Sequence, residues 1–169
     1  LVTTGEYQSA FDHFDKAAQL EPKNPDIWLA LGIAYGLTGQ MNKAEASCRQ
    51  ALALQPDSAG IRFNLANALQ GQGKLAEAET EYEAALKLEP GMAGGWSMLA
   101  QARVGLRKFE EARVAATRAL MLVPRMGEAN FTLGCAEEAL GNKEQACAHF
   151  RLAAEVLPGL PDAHLRLGQ

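Results

Sequence analysis

Apolar residues recur at spacings of three and four along the chain, and each such stretch ends at a glycine or a proline. Between residues 24 and 38 the periodic positions are Ile27, Trp28, Leu31, Ala34 and Tyr35. This spacing predicts a helix with one apolar face. Asn24 is a typical N-cap, Pro25 is tolerated in a first helical turn, and Gly39 favours the left-handed conformation that ends a helix.

A second amphipathic helix is predicted from Met41 to Leu54. Its apolar stripe is formed by Ala44, Cys48, Ala51 and Leu52. Pro56 ends it, because proline has no amide hydrogen for the helical ladder and restricts the residue before it. The pattern therefore predicts a helix hairpin with small residues where the two helices cross.

The hairpin pattern repeats every 34 residues. Five of the seven prolines stand at this interval, at positions 22, 56, 90, 124 and 158, and Pro25 and Pro161 lie four periods apart. Alanine, glycine and leucine columns follow the same interval. The period predicts four full units, 25–58, 59–92, 93–126 and 127–160, with a partial repeat at 1–24 and the start of a further helix at 161–169.

The repeated positions resemble the tetratricopeptide repeat family. In the first full unit they are Trp28, Leu31, Gly32, Tyr35, Ala44, Ala51 and Pro56. The resemblance covers essentially the whole chain. It implies an all-α fold, a right-handed α-solenoid of antiparallel helix hairpins, forming a single domain over residues 1–169 with a concave and a convex side.

In this family partners usually dock against the first helices, on the concave side. Carried over column by column, that resemblance implies a peptide-binding groove. Its predicted residues are Leu29, Ile33, Leu37, Phe63, Asn64, Asn67, Gln70, Ser97, Met98, Gln101, Val104, Phe131, Thr132, Cys135 and Glu138, with Leu165 and Arg166 at the end. The set is apolar with interleaved amides, which suits an extended or helical segment with apolar side chains. Some members of this family bind the C-terminal carboxylate of a partner through lysine and arginine side chains. Those basic residues are largely missing here, so a partner bound by its terminal carboxylate is not expected.

Some positions depart from the repeat. Arg62 and Asn130 stand in the tryptophan column, and Arg107 stands in the turn-glycine column, where a tighter turn or strain of up to about 1 kcal/mol is expected. Arg103 and Glu137 stand in the column of Tyr35. We expect them either to pair across neighbouring units or to reach solvent separately.

Composition and charge exclude several classes of function. Sixteen basic and twenty acidic residues give a net charge of −4, which argues against a nucleic-acid partner. No apolar run approaches the roughly 20 residues that cross a bilayer. Cys48, Cys135 and Cys147 have no CxxC spacing, so they predict neither disulfides nor a zinc site but small packing residues.

No catalytic or cofactor motif is found in the sequence. His13 and His149 share a column and are expected on exposed helix surfaces, and His164 lies near the end. No histidine pair has metal-ligand spacing. The chain is therefore predicted to be neither an enzyme nor a cofactor-binding protein.

The leading hypothesis is an interaction scaffold or adaptor that binds a peptide or protein segment. One alternative is a substrate-recruiting repeat arm of a larger enzyme, such as a glycosyltransferase or sulfotransferase fusion. The other is self-association through uncapped ends, where Tyr7, Phe11 and Phe14 lack a natural cover, unless further chain lies beyond this sequence. A cytoplasmic location fits the composition, with a periplasmic location as the alternative.

Overall fold

The computed structural model describes residues 11, 13–14, 16–159, 161 and 165–166. Residues 16–20 are helical, and eight complete helices follow within the described part of the chain. They are α1 Pro25–Leu37, α2 Met41–Leu54, α3 Ala59–Gly71, α4 Leu75–Leu88, α5 Ala93–Gly105, α6 Phe109–Leu122, α7 Gly127–Ala139 and α8 Lys143–Val156. No strand occurs in these described ranges. Tyr7 and His164, which entered the sequence predictions, lie outside them.

The chain divides into two compact units, Leu1–Leu88 and Glu89–Gln169. In unit 1, α1 packs on α2 and α3 on α4, and α3 also contacts both helices of the preceding hairpin. In unit 2 the same arrangement joins the α5–α6 and α7–α8 hairpins. The predicted extent of a single domain over residues 1–169 stays a prediction.

Local signals in the sequence explain where the helices begin and end. The side chain of Asn24 accepts a hydrogen bond from the Asp26 amide at 3.1 Å, and Ser58 caps α3 through the Ile61 amide at 3.3 Å. Gly39, Gly73 and Gly141 have positive φ angles of 76°, 77° and 86°. These contacts and angles satisfy polar groups that helix ends leave open.

Arg107 adopts the same left-handed conformation, with a φ of 62°. The turn is not tighter than the others, because the Lys108 amide donates to the Arg103 carbonyl at 2.9 Å, as the Gln40 amide does to Tyr35. Of the two sequence-based expectations for this turn, strain rather than tightening is therefore what the structure shows.

Small residues allow the two helices of a hairpin to approach closely. A Cβ placed on Gly32 would lie 2.5 Å from the Sγ of Cys48, and one on Gly134 would lie 2.6 Å from a ring carbon of Phe150. Cys48 is fully buried, and burial raises the pKa of its thiol to about 11, as expected for a packing residue. Cys147 differs from that expectation because its side chain is exposed.

Three residues of the tryptophan column donate a hydrogen bond to the carbonyl of the proline before their helix. The indole nitrogen of Trp28 donates to the Pro22 carbonyl at 2.9 Å, and Trp96 donates to Pro90 at the same distance. Arg62 makes the equivalent bond, from Nη2 to the carbonyl of Pro56 at 3.1 Å. Arg62 therefore makes the same backbone hydrogen bond that the tryptophans make at this repeat position.

One expectation about an apolar residue needs correction, and so does one alternative for a charged residue. Phe11, predicted to lack a cover, is buried and stacks on Tyr35 with the ring centroids 4.6 Å apart. Within its own hairpin, Arg103 donates from Nη1 to the Glu111 carbonyl at 3.3 Å. Glu137 does not reach solvent, because it is buried and its carboxylate accepts from Asn142 at 2.6 Å inside the α7–α8 hairpin. A pairing of Glu137 with Arg103 stays a prediction.

Candidate functional site

A recess of about 170 Å³ in unit 1 lies between α1 and α3, with residues of α2 at its base. Four residues predicted for the groove line it: Ile33, Leu37, Asn64 and Asn67. Leu37 is 75% exposed and Ile33 40% exposed, so both present apolar surface to solvent. We call this the unit 1 recess.

The two asparagines of the unit 1 recess are held by bonds that fix which polar atom remains available. Asn64 donates from Nδ2 to the Gly60 carbonyl at 2.8 Å, which leaves its Oδ1 as an acceptor. Asn67 accepts through Oδ1 from the Tyr82 hydroxyl at 2.7 Å, which leaves its amide hydrogens as donors. Tyr82 is fully buried, and burial raises the pKa of its phenol, so its hydroxyl stays protonated.

Three other predicted groove residues of unit 1 are only partly accessible. Phe63 is half-buried and packs at a tilt against Tyr82, with the centroids 5.8 Å apart. Leu29 is also half-buried. The Oε1 of Gln70 is buried and has no hydrogen-bond partner among the described residues. Because Phe63 packs against the buried Tyr82, only part of its side chain is available to a ligand.

A second recess, of about 320 Å³, lies in unit 2 between α5 and α7. It brings together five predicted residues, Gln101, Val104, Phe131, Thr132 and Cys135, and adds Glu128. We call this the unit 2 recess. Thr132 is almost fully buried, and its hydroxyl donates to the Glu128 carbonyl at 2.9 Å, so it offers little to a ligand.

The remaining predicted residues of unit 2 differ in their accessibility. Ser97 is 0% exposed, and its Oγ has no partner among the described residues, so it packs inside the unit and not on the surface. A serine is small enough to be buried at a helix crossing, which the column comparison did not anticipate. Met98 is half-buried. Glu138 pairs with Arg166, whose guanidinium lies 6.0 Å from the ring centroid of Phe150, and Leu165 is exposed.

A larger recess of about 680 Å³ was not predicted from the sequence. It lies in unit 2 between the second helices α6 and α8, with α7 at its floor, and we call it the second-helix groove. Residues Arg113, Val114, Thr117, Arg118, Leu120 and Met121 of α6 form one wall. Leu133 and Glu137 form the floor, and Gln145 and His149 form the other wall. The spacing of Val114 and Met121 on the outer face of α6 was the available signal.

His149 is partly buried in this groove, which corrects its predicted place on an exposed surface, whereas His13 is exposed as expected. Its Nδ1 lies 3.2 Å from the Oδ1 of Asn130. Because the Nδ2 of Asn130 donates to the Met126 carbonyl at 3.0 Å, its Oδ1 must accept, which places the hydrogen of His149 on Nδ1. Burial lowers the pKa of His149, and the charge of Glu137 partly opposes this effect.

In the part of the chain that the structure describes, no three His, Cys, Asp or Glu side chains are grouped so that they could hold a metal ion. No described helix has the length and apolarity that crossing a membrane requires.

Comparison with known proteins identifies the repeat. A family model described as a tetratricopeptide repeat matches residues 1–47 and 38–102, and a second model of the same description matches residues 97–163. No curated protein is similar enough in sequence to count as a relative.

Several solved structures share the fold at low sequence identity. MamA is 23% identical, with a TM-score of 0.83 over 90% of this chain and 89% of that chain. TTC0263, a thermophilic TPR protein of Thermus thermophilus, is 22% identical, with a TM-score of 0.73 over 97% and 90%. YrrB, described as a TPR protein with an unusual peptide-binding site, is 23% identical, with a TM-score of 0.77 over 92% and 80%. The predicted fold class, all-α helix hairpins of the α-solenoid type, is confirmed.

Proposed function

Because this chain belongs to the tetratricopeptide repeat family, we propose that it is an interaction scaffold that binds a peptide segment along its first helices. The repeats and the structural neighbours support protein binding as the general role. The finer proposal concerns where the segment binds and what it looks like. It rests on the contacts of the two recesses, each considered within its own unit.

The observation that carries the proposal is the complementary pair of asparagines in the unit 1 recess. Asn64 keeps a free acceptor and Asn67 keeps free donors, and the two stand three positions apart on the helix, a rise of about 4.5 Å. A peptide backbone offers both amide hydrogens and carbonyl oxygens, so it can bond to both side chains. Ile33 and Leu37 lie beside this pair and offer contacts to an apolar side chain.

The unit 2 recess supports the same mode of binding, but its lining is mainly apolar. Val104, Phe131 and Cys135 provide an apolar lining, and Gln101 adds an amide at the edge. Its volume of about 320 Å³ is at the low end of the range for ligand pockets, about 300–1,000 Å³. We propose that it takes one bulky apolar side chain of a bound segment.

The test is selection of binding peptides followed by measurement of their affinity for variants. A phage-displayed library of random extended peptides is selected on the wild-type chain, and the selected peptides are synthesised and titrated by calorimetry. Variant I33S/L37S removes two exposed apolar side chains of the unit 1 recess, and N64A removes its free acceptor. Phe63 and Asn67 are left unchanged, because both contact the buried Tyr82 and their loss would disturb the core.

The expected result is a loss of affinity of roughly tenfold or more in I33S/L37S and a smaller loss in N64A. The matched control is L54S/L88S, which removes two exposed leucines of the same unit outside the recess. The control should bind as the wild type does. Equal affinity of all three variants for every selected peptide would reject the unit 1 recess as the binding site.

A further inference from the structure

The second-helix groove of unit 2 combines exposed apolar side chains on one helix face. Val114 is 57% exposed and Met121 is 69% exposed, and they stand seven residues apart on α6. Two helical turns separate them, a rise of about 10.5 Å. Both side chains line the same groove, so together they present apolar surface to a ligand that binds there.

The apolar surface continues around Met121 to the other side of α6. A recess of about 380 Å³ lies there, lined by Pro90, Trp96 and Leu122 together with Arg118 and Met121. Leu122 and Val123 are each nearly half exposed. Met121 therefore stands between two recesses, and a ligand that covers it can use both.

Two arginines at the rim give the groove a charge. Arg113 and Arg118 are both exposed, and neither has an ion-pair partner among the described residues. Arg62 and Arg125, by contrast, pair with Glu81 and Glu155. The Glu137 carboxylate at the floor is buried and accepts from Asn142, so the rim presents positive charge to a ligand. Carboxylates of a partner are the complement of this rim.

Two of the polar groups inside the groove are already engaged, whereas the exposed side chain of Gln145 keeps its amide available. The Thr117 hydroxyl donates to the Arg113 carbonyl at 2.8 Å, and the Nδ1 of His149 contacts Asn130. An extended peptide buried here would leave many of its backbone amides and carbonyls without partners, which is costly. A helix satisfies its own backbone and presents only side chains. This contrasts with the unit 1 recess, where the asparagines suit an extended backbone.

We propose that the second-helix groove binds an acidic amphipathic helix of another protein. The apolar face of that helix packs on Val114 and Met121, and its aspartate or glutamate side chains pair with Arg113 and Arg118. This surface is separate from the two recesses between first helices, so the scaffold holds two partners by different chemistry.

The test uses a synthetic probe of defined composition. It is a fluorescein-labelled helix of about 18 residues, long enough to be partly helical in water, with leucines on one face and glutamates flanking them. A comparison peptide carries lysine at each glutamate position. Fluorescence anisotropy should show that the acidic peptide binds at least about tenfold more tightly than the lysine peptide, and that its affinity falls as salt is added.

Variants of the full chain then locate the site. R113E/R118E should lower the affinity for the acidic peptide at least about tenfold and improve that for the lysine peptide. K143E/R151E makes the same change in net charge at exposed positions of α8 outside the groove, and it should retain most of the binding. V114S/M121S should lower the affinity for both peptides, and I33S/L37S should leave both unchanged.

Three outcomes would overturn the proposal. The first is the absence of saturable binding of the acidic peptide. The second is an equal loss in R113E/R118E and K143E/R151E, which would show an effect of net charge alone. The third is that the wild type ignores the peptide but sediments with vesicles of phosphatidylglycerol, with this binding lost in the groove variants. That result would assign the groove to an anionic lipid surface.

Discussion

Arg62 and Glu81 form an ion pair across the α3–α4 hairpin, with Nη1 and Oε2 2.8 Å apart. Asn130 and His149 occupy the same two columns of the α7–α8 hairpin, and they also contact each other. In the other two hairpins these columns hold Trp28 with Ser47 and Trp96 with Ala115. A large aromatic side chain is thus matched by a small residue, an arginine by a glutamate and an asparagine by a histidine.

This pairing predicts that a tryptophan cannot be placed at position 62 without a second change at position 81. R62W should destabilise unit 1 by about 1–3 kcal/mol, because the indole crowds Glu81 and leaves its carboxylate half-buried without the arginine. R62W/E81S reproduces the combination of Trp28 and Ser47 and should recover most of that loss. Urea unfolding followed by circular dichroism measures both. The single variant E81S serves as the control, and additive effects of the two changes would contradict the pairing.

His149 predicts a pH dependence of stability. Its pKa is lowered from 6.5 in the folded chain, chiefly by burial, so the unfolded chain binds the proton more readily. The histidine therefore contributes stability above pH 6.5 that is lost as the pH falls below that value. The free energy of unfolding should decline between about pH 7.5 and pH 5.5, and H149Q should show a smaller decline. H13Q, at an exposed position, should behave as the wild type; an equal decline in H149Q would remove His149 as the cause.

The helices could be predicted from the sequence because each carries its own signals. The bounds of α2, Met41–Leu54, agree with those expected from its apolar stripe and Pro56. The positive φ of Gly39 and the cap at Asn24 are also local properties of a few residues. The same local signals recur every 34 residues, so the helices could be predicted without knowledge of long-range contacts.

The surfaces were harder to predict, because the exposure of a side chain depends on which neighbouring helices pack over it. Val104 and Phe131 line one recess, because the first helices of the two hairpins in unit 2 contact each other. Ser97 was placed in the groove by its column, but close packing buries it. The second-helix groove was not predicted, because an apolar residue such as Met121 is usually expected in the core. The family resemblance also implies binding at the first helices.

Gly134 predicts a large cost for the addition of one methyl group. A Cβ at this position would lie 2.6 Å from a ring carbon of Phe150, which is itself buried and cannot move away freely. G134A should destabilise unit 2 by about 1–3 kcal/mol. G94A, in open space on α5, should be neutral or slightly stabilising, because alanine favours a helix more than glycine does.

A double variant separates the clash at Gly134 from a loss of backbone freedom. F150L shortens the side chain opposite Gly134 and should cost about 1 kcal/mol by itself. If the clash is the cause, G134A/F150L should be less destabilised than the sum of the two single variants. Strict additivity in urea unfolding would show that the contact between the two residues is not responsible.

Arg107 predicts a gain of stability from a substitution to glycine. Its φ of 62° lies in the left-handed region, which costs a residue with a Cβ about 1 kcal/mol or more. R107G should raise the free energy of unfolding by about 0.5–1 kcal/mol, even though glycine gains entropy in the unfolded chain. R107A loses the same side chain but keeps its Cβ and the strain, so it should give no comparable gain. In the same unit G141A makes the opposite change at a φ of 86° and should cost about 1 kcal/mol. If R107G were no more stable than R107A in urea titrations, the backbone conformation at residue 107 would not be the source of strain.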